Sequence, residues 1–247
     1  LRRWAMRFFA PAVAAVEACT SPRAWATALI GIHDYLERLA GDRRMSAAAR
    51  RLTARLLRLR RATAGDDWPW LEDVLAYDNA RICQALVGSG RVLGAAVAGD
   101  AGLRMLDWLA RLQVTATGRF APVGCRGFLR RGGVAAAFDQ QPLEAHGMVA
   151  ACVEATRATG DASWIDVAWT AFDWFHGHNV LGLALSDPRT GGCRDGLLED
   201  RTNDNQGAES TLAYLAALVD MMAAEAPAIG GSLLAAHDRR RASPEGV

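Results

Sequence analysis

Three stretches of the chain place carboxylates and amides just before, or in the first turns of, apolar segments with helical periodicity. They cover residues 66–86, 124–152 and 190–218, and aromatic or glycine-rich residues accompany the polar groups in each. Two carboxyl groups suffice for acid/base hydrolysis of a glycosidic bond, because one protonates the leaving oxygen while the other activates water. Flat aromatic side chains beside them suit a sugar ring, which has an apolar face of C–H bonds and a rim of hydroxyls. The residue types therefore favour carbohydrate chemistry.

Asp73 and Asp139 are the carboxylates that we predict to form the principal acid/base pair. Asp139 follows Phe138 in a segment rich in glycine and alanine, a setting that favours a raised pKa and the role of general acid. Other carboxylates of the three stretches are expected to replace this pair if the folded geometry separates it: Glu144, Asp78 and Glu209.

Aromatic and polar side chains of the same stretches are predicted to bind the substrate. Trp70 and Tyr77 would stack on sugar rings. The side chains expected to bind hydroxyl groups are Asn79, Arg81, Arg126, Gln140, Gln141, Asp195, Asn205 and Gln206.

Helix capping explains only some of these polar residues. Asp73 would cap a helix that begins there, and Asp139 or Gln141 would cap the helix that begins at residue 142. Glu144, in the first turn, would gain from the helix dipole. Gln140 and Gln141 have no structural role in this interpretation, so a functional role is favoured for them.

Helical periodicity dominates the sequence, and no run of alternating β-branched residues predicts a strand. The chain is therefore predicted to be all-α, with a first amphipathic helix rather than a signal peptide. The predicted helices cover residues 4–19, 22–40, 45–63, 73–88, 99–113, 142–158, 161–177, 205–224 and 228–240. We expect a single domain over residues 1–240, followed by a flexible tail at 241–247.

A Gly-Asp pair recurs at residues 41–42, 99–100 and 160–161, with spacings of 58 and 61 residues. The glycine is expected to end one helix and the aspartate to cap the next, so each period is one antiparallel helix hairpin. Repeated hairpins stack into an open solenoid or a closed α/α toroid. Because long polar loops at 114–141 and 178–204 alternate with minimal ones, we expect one elaborated end where the three stretches face a common cleft.

The overall charge excludes several classes of partner. The 247 residues carry 28 basic and 27 acidic side chains, so no general field draws the chain to nucleic acid or to an anionic membrane. Five cysteines without a CxxC pair are typical of reduced thiols in a cytoplasmic protein. His176 and His178 lack an evident third ligand, so neither a metal nor another cofactor is expected.

Three motifs also resemble a known group of proteins: WPWLEDVLAYDNARICQAL, GFLRRGG followed by FDQQPLEA, and DPRTGGCRDGLLEDRTNDNQGAESTLAYLAAL. They look like the helical domain C-terminal to some bacterial retaining-type glycosyltransferases of the two-Rossmann class, within the six-hairpin glycosidase superfamily of α/α toroids. The resemblance covers about residues 65–220. It implies an acidic pair in the toroid mouth that cleaves or rearranges a glycosidic bond of an oligosaccharide or polysaccharide, and a glycosyltransferase domain as a partner.

Two shorter segments carry a narrower similarity within that superfamily. NDNQGAESTLAYL is similar to the YNQG helix start of bacterial mannan-degrading members, and YDNA is similar to their aspartate-bearing inner helix. The superfamily has six hairpins, whereas this sequence accommodates four to five. The resemblance therefore implies an incomplete toroid, and the nucleotide-binding half of the glycosyltransferases is absent from the sequence.

Three functional hypotheses follow from the residues and the resemblance. The leading one is a glycoside-hydrolase-like domain, and the alternative is a non-catalytic module that binds a glycan or docks a glycosyltransferase. A third, a sugar epimerase or isomerase, would use paired histidines such as His146 and His176. A separation of about 5–10 Å between two carboxylates across the cleft would favour hydrolysis over binding.

Overall fold

The computed structural model of the protein describes residues 2–225, and this part of the chain is mostly helical. The all-α prediction is confirmed. Its eight α-helices are α1 (Arg2–Ala18), α2 (Pro22–Arg38), α3 (Arg43–Thr63), α4 (Asn79–Leu93), α5 (Ala96–Leu112), α6 (Pro142–Thr159), α7 (Ser163–Asp173) and α8 (Ala208–Glu225). The helix predicted at 228–240 and the tail predicted at 241–247 lie outside the described residues.

Short strands, which the sequence patterns did not predict, join the long loops. The three antiparallel pairs within residues 2–225 are β1 (Val74–Leu75) with β2 (Leu129–Arg130), β3 (Ser186–Asp187) with β4 (Gly192–Cys193), and β5 (Gly196–Leu197) with β6 (Thr202–Asn203). The first pair delays the start of α4 to Asn79, because residues 74–75 bond to a segment more than fifty positions away. The helix predicted from residue 73 therefore starts too early, and Asp73 caps no helix.

The Gly-Asp pairs mark helix boundaries at two of their three positions. Asp42 accepts hydrogen bonds from the first turn of α3. Gly160 ends α6 in the left-handed conformation, with φ of 75°, and Asp161 accepts a bond from the first amide of α7. The middle pair lies inside α5, so the prediction there is wrong. Gly90 and Gly99 instead allow α4 and α5 to approach, because a Cβ on Gly90 would lie 2.7 Å from the Cα of Gly99, and a Cβ on Gly99 would lie 3.3 Å from the Cα of Gly90.

Three helices, α2, α4 and α6, lie side by side and run in the same direction. Their first turns are joined through Asn79, which accepts a bond from Arg23 on α2 and donates one to Glu144 on α6. Their C-terminal halves are joined through Arg91 of α4, which forms ion pairs with Glu37 of α2 and Glu154 of α6. The helices that follow them, α3, α5 and α7, each pack against the preceding one, and α8 packs against α6.

The core lies where α4 and α6 meet their neighbours. Both helices are buried on most of their faces, and α6 is enclosed by α4, α5, α7 and α8. Such a helix is apolar all round rather than amphipathic, because little of it faces water. The polar groups that these helices do carry are therefore conspicuous, and they include Asn79 and Glu144 at the helix starts.

Candidate functional site

The start of α4 is capped by a side chain from α6. Asp78, in the N-cap position, adopts a left-handed conformation with φ of 51°, and its side chain makes no capping bond. The carboxylate of Glu144 instead accepts the N–H of Asp78, the N–H of Asn79 at 3.4 Å and the Nδ2–H of Asn79 at 3.3 Å. Glu144 thereby satisfies amides that a helix start leaves without intrahelical partners, and it fixes α4 and α6 to one another.

Arg23, in the first turn of α2, supports the same helix start from the other side. Its guanidinium donates to Glu72 Oε2 at 2.7 Å, to Asn79 Oδ1 at 3.1 Å and to the carbonyl of Tyr77. The guanidinium carbon also lies 4.9 Å from the centre of the Tyr77 ring, within the range of a cation–π contact. Sequence reasoning did not single out Arg23. The sequence did contain a signal for it. An arginine in the first turn of a helix is disfavoured by the helix dipole, so its presence there indicates another role.

A pocket of about 310 Å³ opens where the starts of α4, α6 and α8 meet, and we call it the tyrosine pocket. Its lining residues are Ala76, Tyr77, Val123, Cys125, Phe128, Gln141, Leu143, Glu144 and Glu209. Tyr77 is 54 % exposed and offers an aromatic face, whereas Glu144 is 4 % exposed. Glu209 is exposed at the start of α8. The structure thus brings together four of the predicted residues: one aromatic side chain, one amide and two carboxyl groups.

Burial sets the proton affinity of the carboxyl groups behind this pocket. It raises the pKa of Glu144 to about 7, although the bonds from Asp78 and Asn79 act in the opposite direction. Burial also raises the pKa of Asp78, which Arg81 and His146 partly oppose. Asp78 Oδ1 is buried and has no hydrogen-bond partner among the described residues. Two neighbouring carboxyl groups therefore hold protons more tightly than usual, as general acids require.

A second group of predicted residues lies around Asp139 and Asp195. Burial raises the pKa of Asp139, in the direction expected from sequence, while Arg126 and a bond from Gln141 oppose the shift. A Cβ on Gly196 would lie 2.4 Å from Asp139 Oδ1, so this carboxylate packs directly on the β5 backbone. Asp139 is not among the residues that line the tyrosine pocket, and Gln141 is the contact between the two groups.

Asp195 caps α8 from a neighbouring strand segment. Its Oδ1 accepts the N–H of Gly207 at 2.7 Å, and its Oδ2 accepts a bond from Asn205. Partial burial acts to raise the pKa of Asp195, but the bonds from Asn205, Ser210 and Gly207 lower it overall. Asn205 thus serves the cap, and a hydroxyl-binding role for it would require breaking that bond.

Two predicted residues lie in surroundings that do not fit their expected roles. Trp70 was predicted to stack on a sugar, but it is 0 % exposed and stacks on Trp108, with 6.3 Å between the ring centres. Asp73 was predicted to pair with Asp139, but its side chain is 80 % exposed and lies 3.9 Å from Arg131. Asp139 instead has Arg126, Gln141 and Asp195 as its charged and polar neighbours.

Gln140 has the structural role that sequence reasoning did not find. Its Oε1 accepts the indole N–H of Trp174 at 2.9 Å, its Nε2 donates to the carbonyl of Ala137, and its backbone pairs with Leu197. It is buried and contributes nothing to a surface. Gln141 occupies the N-cap position of α6 without a side-chain capping bond; its Nε2 donates to Cys125 Sγ at 3.8 Å, and its side chain lines the tyrosine pocket.

The remaining predicted residues lie at three other places. Arg126 lines a shallow pocket of about 290 Å³ with residues 198–201. Gln206 accepts a bond from Thr190 at 2.8 Å. Arg81 points away from the tyrosine pocket into a groove between helices, described below. These three are not brought together with Tyr77 and Glu144.

The described part of the chain was also searched for metal sites and membrane spans. No group of three or more His, Cys, Asp and Glu side chains within it could hold a metal ion. None of its helices has both the length and the apolar character needed to cross a bilayer. No model of a known protein family matches the chain, and no curated protein matches it either.

Proposed function

We propose that the helices form part of an α/α toroid. The support is the arrangement of α2, α4 and α6, which are parallel neighbours, while α3, α5 and α7 return on one side of them. In a toroid the first set would form the inner ring and the second set the outer ring. The tyrosine pocket would then lie at the mouth, at the N-terminal ends of the inner helices.

We propose further that this mouth is the site of a carbohydrate-active domain that cleaves a glycosidic bond. The observation that carries the proposal is the meeting of Tyr77, Glu144 and Glu209 in one pocket, with the pKa of Glu144 raised to about 7. Tyr77 would stack on one sugar ring, and the Gln141 amide would bind a hydroxyl. The pocket volume of about 310 Å³ suits a ligand of one sugar ring.

Glu144 and Glu209 take the two roles of acid/base hydrolysis in this proposal. Glu144 would donate its proton to the glycosidic oxygen as the bond from that oxygen to the anomeric carbon breaks. Glu209, exposed in the same pocket, would accept a proton from the water that attacks the anomeric carbon. Asp78 acts through Glu144, because its charge adds to the effect of burial in raising the pKa of Glu144.

A non-catalytic glycan-binding module is the second candidate, and a separate observation favours it. Both oxygens of Glu144 accept hydrogen bonds that cap α4. If these bonds persist when a ligand is bound, the carboxyl group positions α4 and transfers no proton. The domain would then hold a glycan, or a glycosyltransferase with its glycan product, without turnover.

Release of reducing sugar from α- and β-linked gluco-, manno- and galacto-oligosaccharides tests hydrolysis. Glu144→Gln and Glu209→Gln should each lower the rate by at least roughly 100-fold. Asp73→Asn is the matched control, since its exposed carboxylate should leave the rate unchanged. Full activity in either glutamine variant would contradict the assigned roles. Calorimetric binding of an oligosaccharide that is never cleaved, weakened by Tyr77→Ala, would establish the binding module instead.

A further inference from the structure

A second pocket, the interhelical groove, lies between α2, α4, α6 and α8 and has a volume of about 270 Å³. Its lining residues are Ile30, His33, Asp34, Arg81, Gln84, Gly88, Arg91, His146, Glu154, Arg157, Ala216 and Asp220. None of them lines the tyrosine pocket. The proposed hydrolysis therefore does not use this groove.

The lining of the groove is polar and balanced in formal charge. It carries three arginines and three carboxylates, and Arg91 is neutralised by ion pairs with Glu154 and Glu37. Within residues 2–225, no carboxylate lies within 4.0 Å of the guanidinium of Arg81 or Arg157. Arg81 instead donates to Gln84 Oε1 at 2.7 Å, which holds both side chains against the wall of α4.

The floor of the groove is preformed by buried, hydrogen-bonded groups. Glu154 is buried and held by Arg91 at 2.8 Å. His33 is buried beside Ser89, with 3.3 Å between Nε2 and the hydroxyl oxygen, and burial lowers the pKa of His33 to about 4. Gly88 lies between them, because a Cβ there would be 2.7 Å from His33 Nδ1 and 3.3 Å from Glu154 Oε1. A side chain at Gly88 would therefore displace one or both of these groups.

This combination of groups selects for hydroxyls. A hydroxyl both donates and accepts hydrogen bonds, so it can accept from the guanidinium and amide groups of this lining and donate to its carboxylates. A strongly anionic ligand would meet three carboxylates, and a cationic one would meet three guanidiniums. The volume is close to the lower limit for small-molecule sites, which restricts the ligand to about one ring.

We propose that the interhelical groove binds a small neutral polyol, of the size of one sugar ring or a cyclitol, at a site separate from the tyrosine pocket. The two sites would lie on either side of Asp78. Its N–H bonds to Glu144 of the tyrosine pocket, and its carboxylate interacts with Arg81 and His146 of the groove. A ligand in the groove does not require that the protein hydrolyses anything.

Isothermal titration calorimetry of the full chain with myo-inositol, glucose, mannose and galactose tests the proposal, with inorganic phosphate as the anionic comparison. We expect at least one neutral probe to bind with a Kd of about 1 mM, as is usual for ligands of this size. Ala216→Phe, which fills the groove from α8, should weaken binding by about tenfold or more. Ala223→Phe, at an exposed position of the same helix, is the matched control and should change nothing.

Two further variants make the result unambiguous. Gln84→Leu removes a donor and an acceptor without adding bulk, so it should weaken binding as well. It therefore tests the groove even if Ala216→Phe disturbs the fold. Tyr77→Ala should leave this binding unchanged, and it separates the groove from the tyrosine pocket. Absence of saturable binding by all four neutral probes would overturn the proposal. So would binding that is lost in Tyr77→Ala but retained in Ala216→Phe, or binding of phosphate alone.

Discussion

The starts of α4 and α8 are each capped by a carboxylate from another part of the chain, yet the two carboxylates differ in their affinity for protons. Glu144 caps α4 and has its pKa raised to about 7, because it is buried. Asp195 caps α8 and has its pKa lowered, because it is only partly buried and accepts several hydrogen bonds. The same capping geometry is thus compatible with a proton donor in one place and a fixed anion in the other.

The difference shows that burial, and not hydrogen bonding alone, sets the direction of the pKa shift of a capping carboxylate. Both carboxylates accept backbone N–H bonds, which favour the charged form. At Asp195 that effect prevails, whereas at Glu144 the loss of solvent outweighs it. A carboxyl group that is costly to ionise, and that lies beside an exposed aromatic ring, is the kind of group that enzymes use as an acid.

Removal of the Glu144 carboxyl group should cause the largest loss of stability. Glu144→Ala leaves the amides of Asp78 and Asn79 buried without a partner and removes the bond between α4 and α6. We expect a loss of about 3 kcal/mol in the free energy of unfolding, since each unsatisfied buried amide costs about 1–3 kcal/mol. Urea unfolding followed by circular dichroism measures it. A loss no greater than that of Glu209→Ala, on the exposed wall of the same pocket, would contradict the capping role.

The next effect is a pH dependence of opposite sign at two buried groups. The pKa of Glu144 is raised from 4.5 to about 7, so its contribution to stability is greatest below 4.5 and falls by roughly 3 kcal/mol as pH rises to 7. The pKa of His33 is lowered to about 4, so its contribution is lost as pH falls from 6.5 to 4.

Variants separate these two contributions. Unfolding free energies at pH 5 and pH 8 should show a smaller decline with rising pH in Glu144→Gln than in the wild type. His33→Asn should instead become less sensitive to acid. A decline with pH that is identical in the wild type and in Glu144→Gln would show that Glu144 titrates normally.

Arg23 gives a smaller effect, because it supports the same helix start through side chains and one carbonyl. Arg23→Ala leaves Glu72 and the buried Asn79 without this partner, and we expect a loss of about 2 kcal/mol. Arg51→Ala is the matched control, since its ion pair with Glu17 is exposed and should contribute less than about 0.5 kcal/mol. Equal losses in the two variants would show that Arg23 contributes no more to stability than an exposed ion pair does.

Asp195→Ala removes the carboxylate that caps α8 and should cause the smallest loss of stability. The cap of α8 is only partly buried, so water can replace the lost bonds to Gly207 and Asn205. We expect a loss of about 1 kcal/mol, as is usual for N-caps. Thermal unfolding would measure it, and a loss larger than that of Glu144→Ala would reverse the ranking on which the comparison depends.

The sequence predicted elements well where local signals decide them. Periodicity located α2, α3 and α6 to within two residues, and the Gly-Asp pairs at 41–42 and 160–161 lie at helix boundaries. Sequence patterns failed where contacts between distant residues decide where a helix begins or ends. The start of α4 moved because β1 pairs with β2, and Gly99 meets Gly90 inside a helix crossing rather than ending a helix.

The site could be predicted in its residue types but only partly in its arrangement. Tyr77, Glu144 and Glu209 were selected from their positions at helix starts, and the fold brings them into one pocket. Burial removed Trp70 from the surface, and a bond to Trp174 gave Gln140 a structural role. Both depend on contacts more than thirty residues away, which no local pattern encodes.

Direct titration of the Glu144 carboxyl group tests whether burial raises its pKa to about 7. Carboxyl carbons labelled with ¹³C can be followed by NMR from pH 3 to pH 9, with Glu144→Gln to assign the resonance. We expect a midpoint near 7 for Glu144 and a midpoint below the ordinary range for Asp195. A Glu144 midpoint near the ordinary value of 4.5 would contradict the proton-donor role that we propose for it.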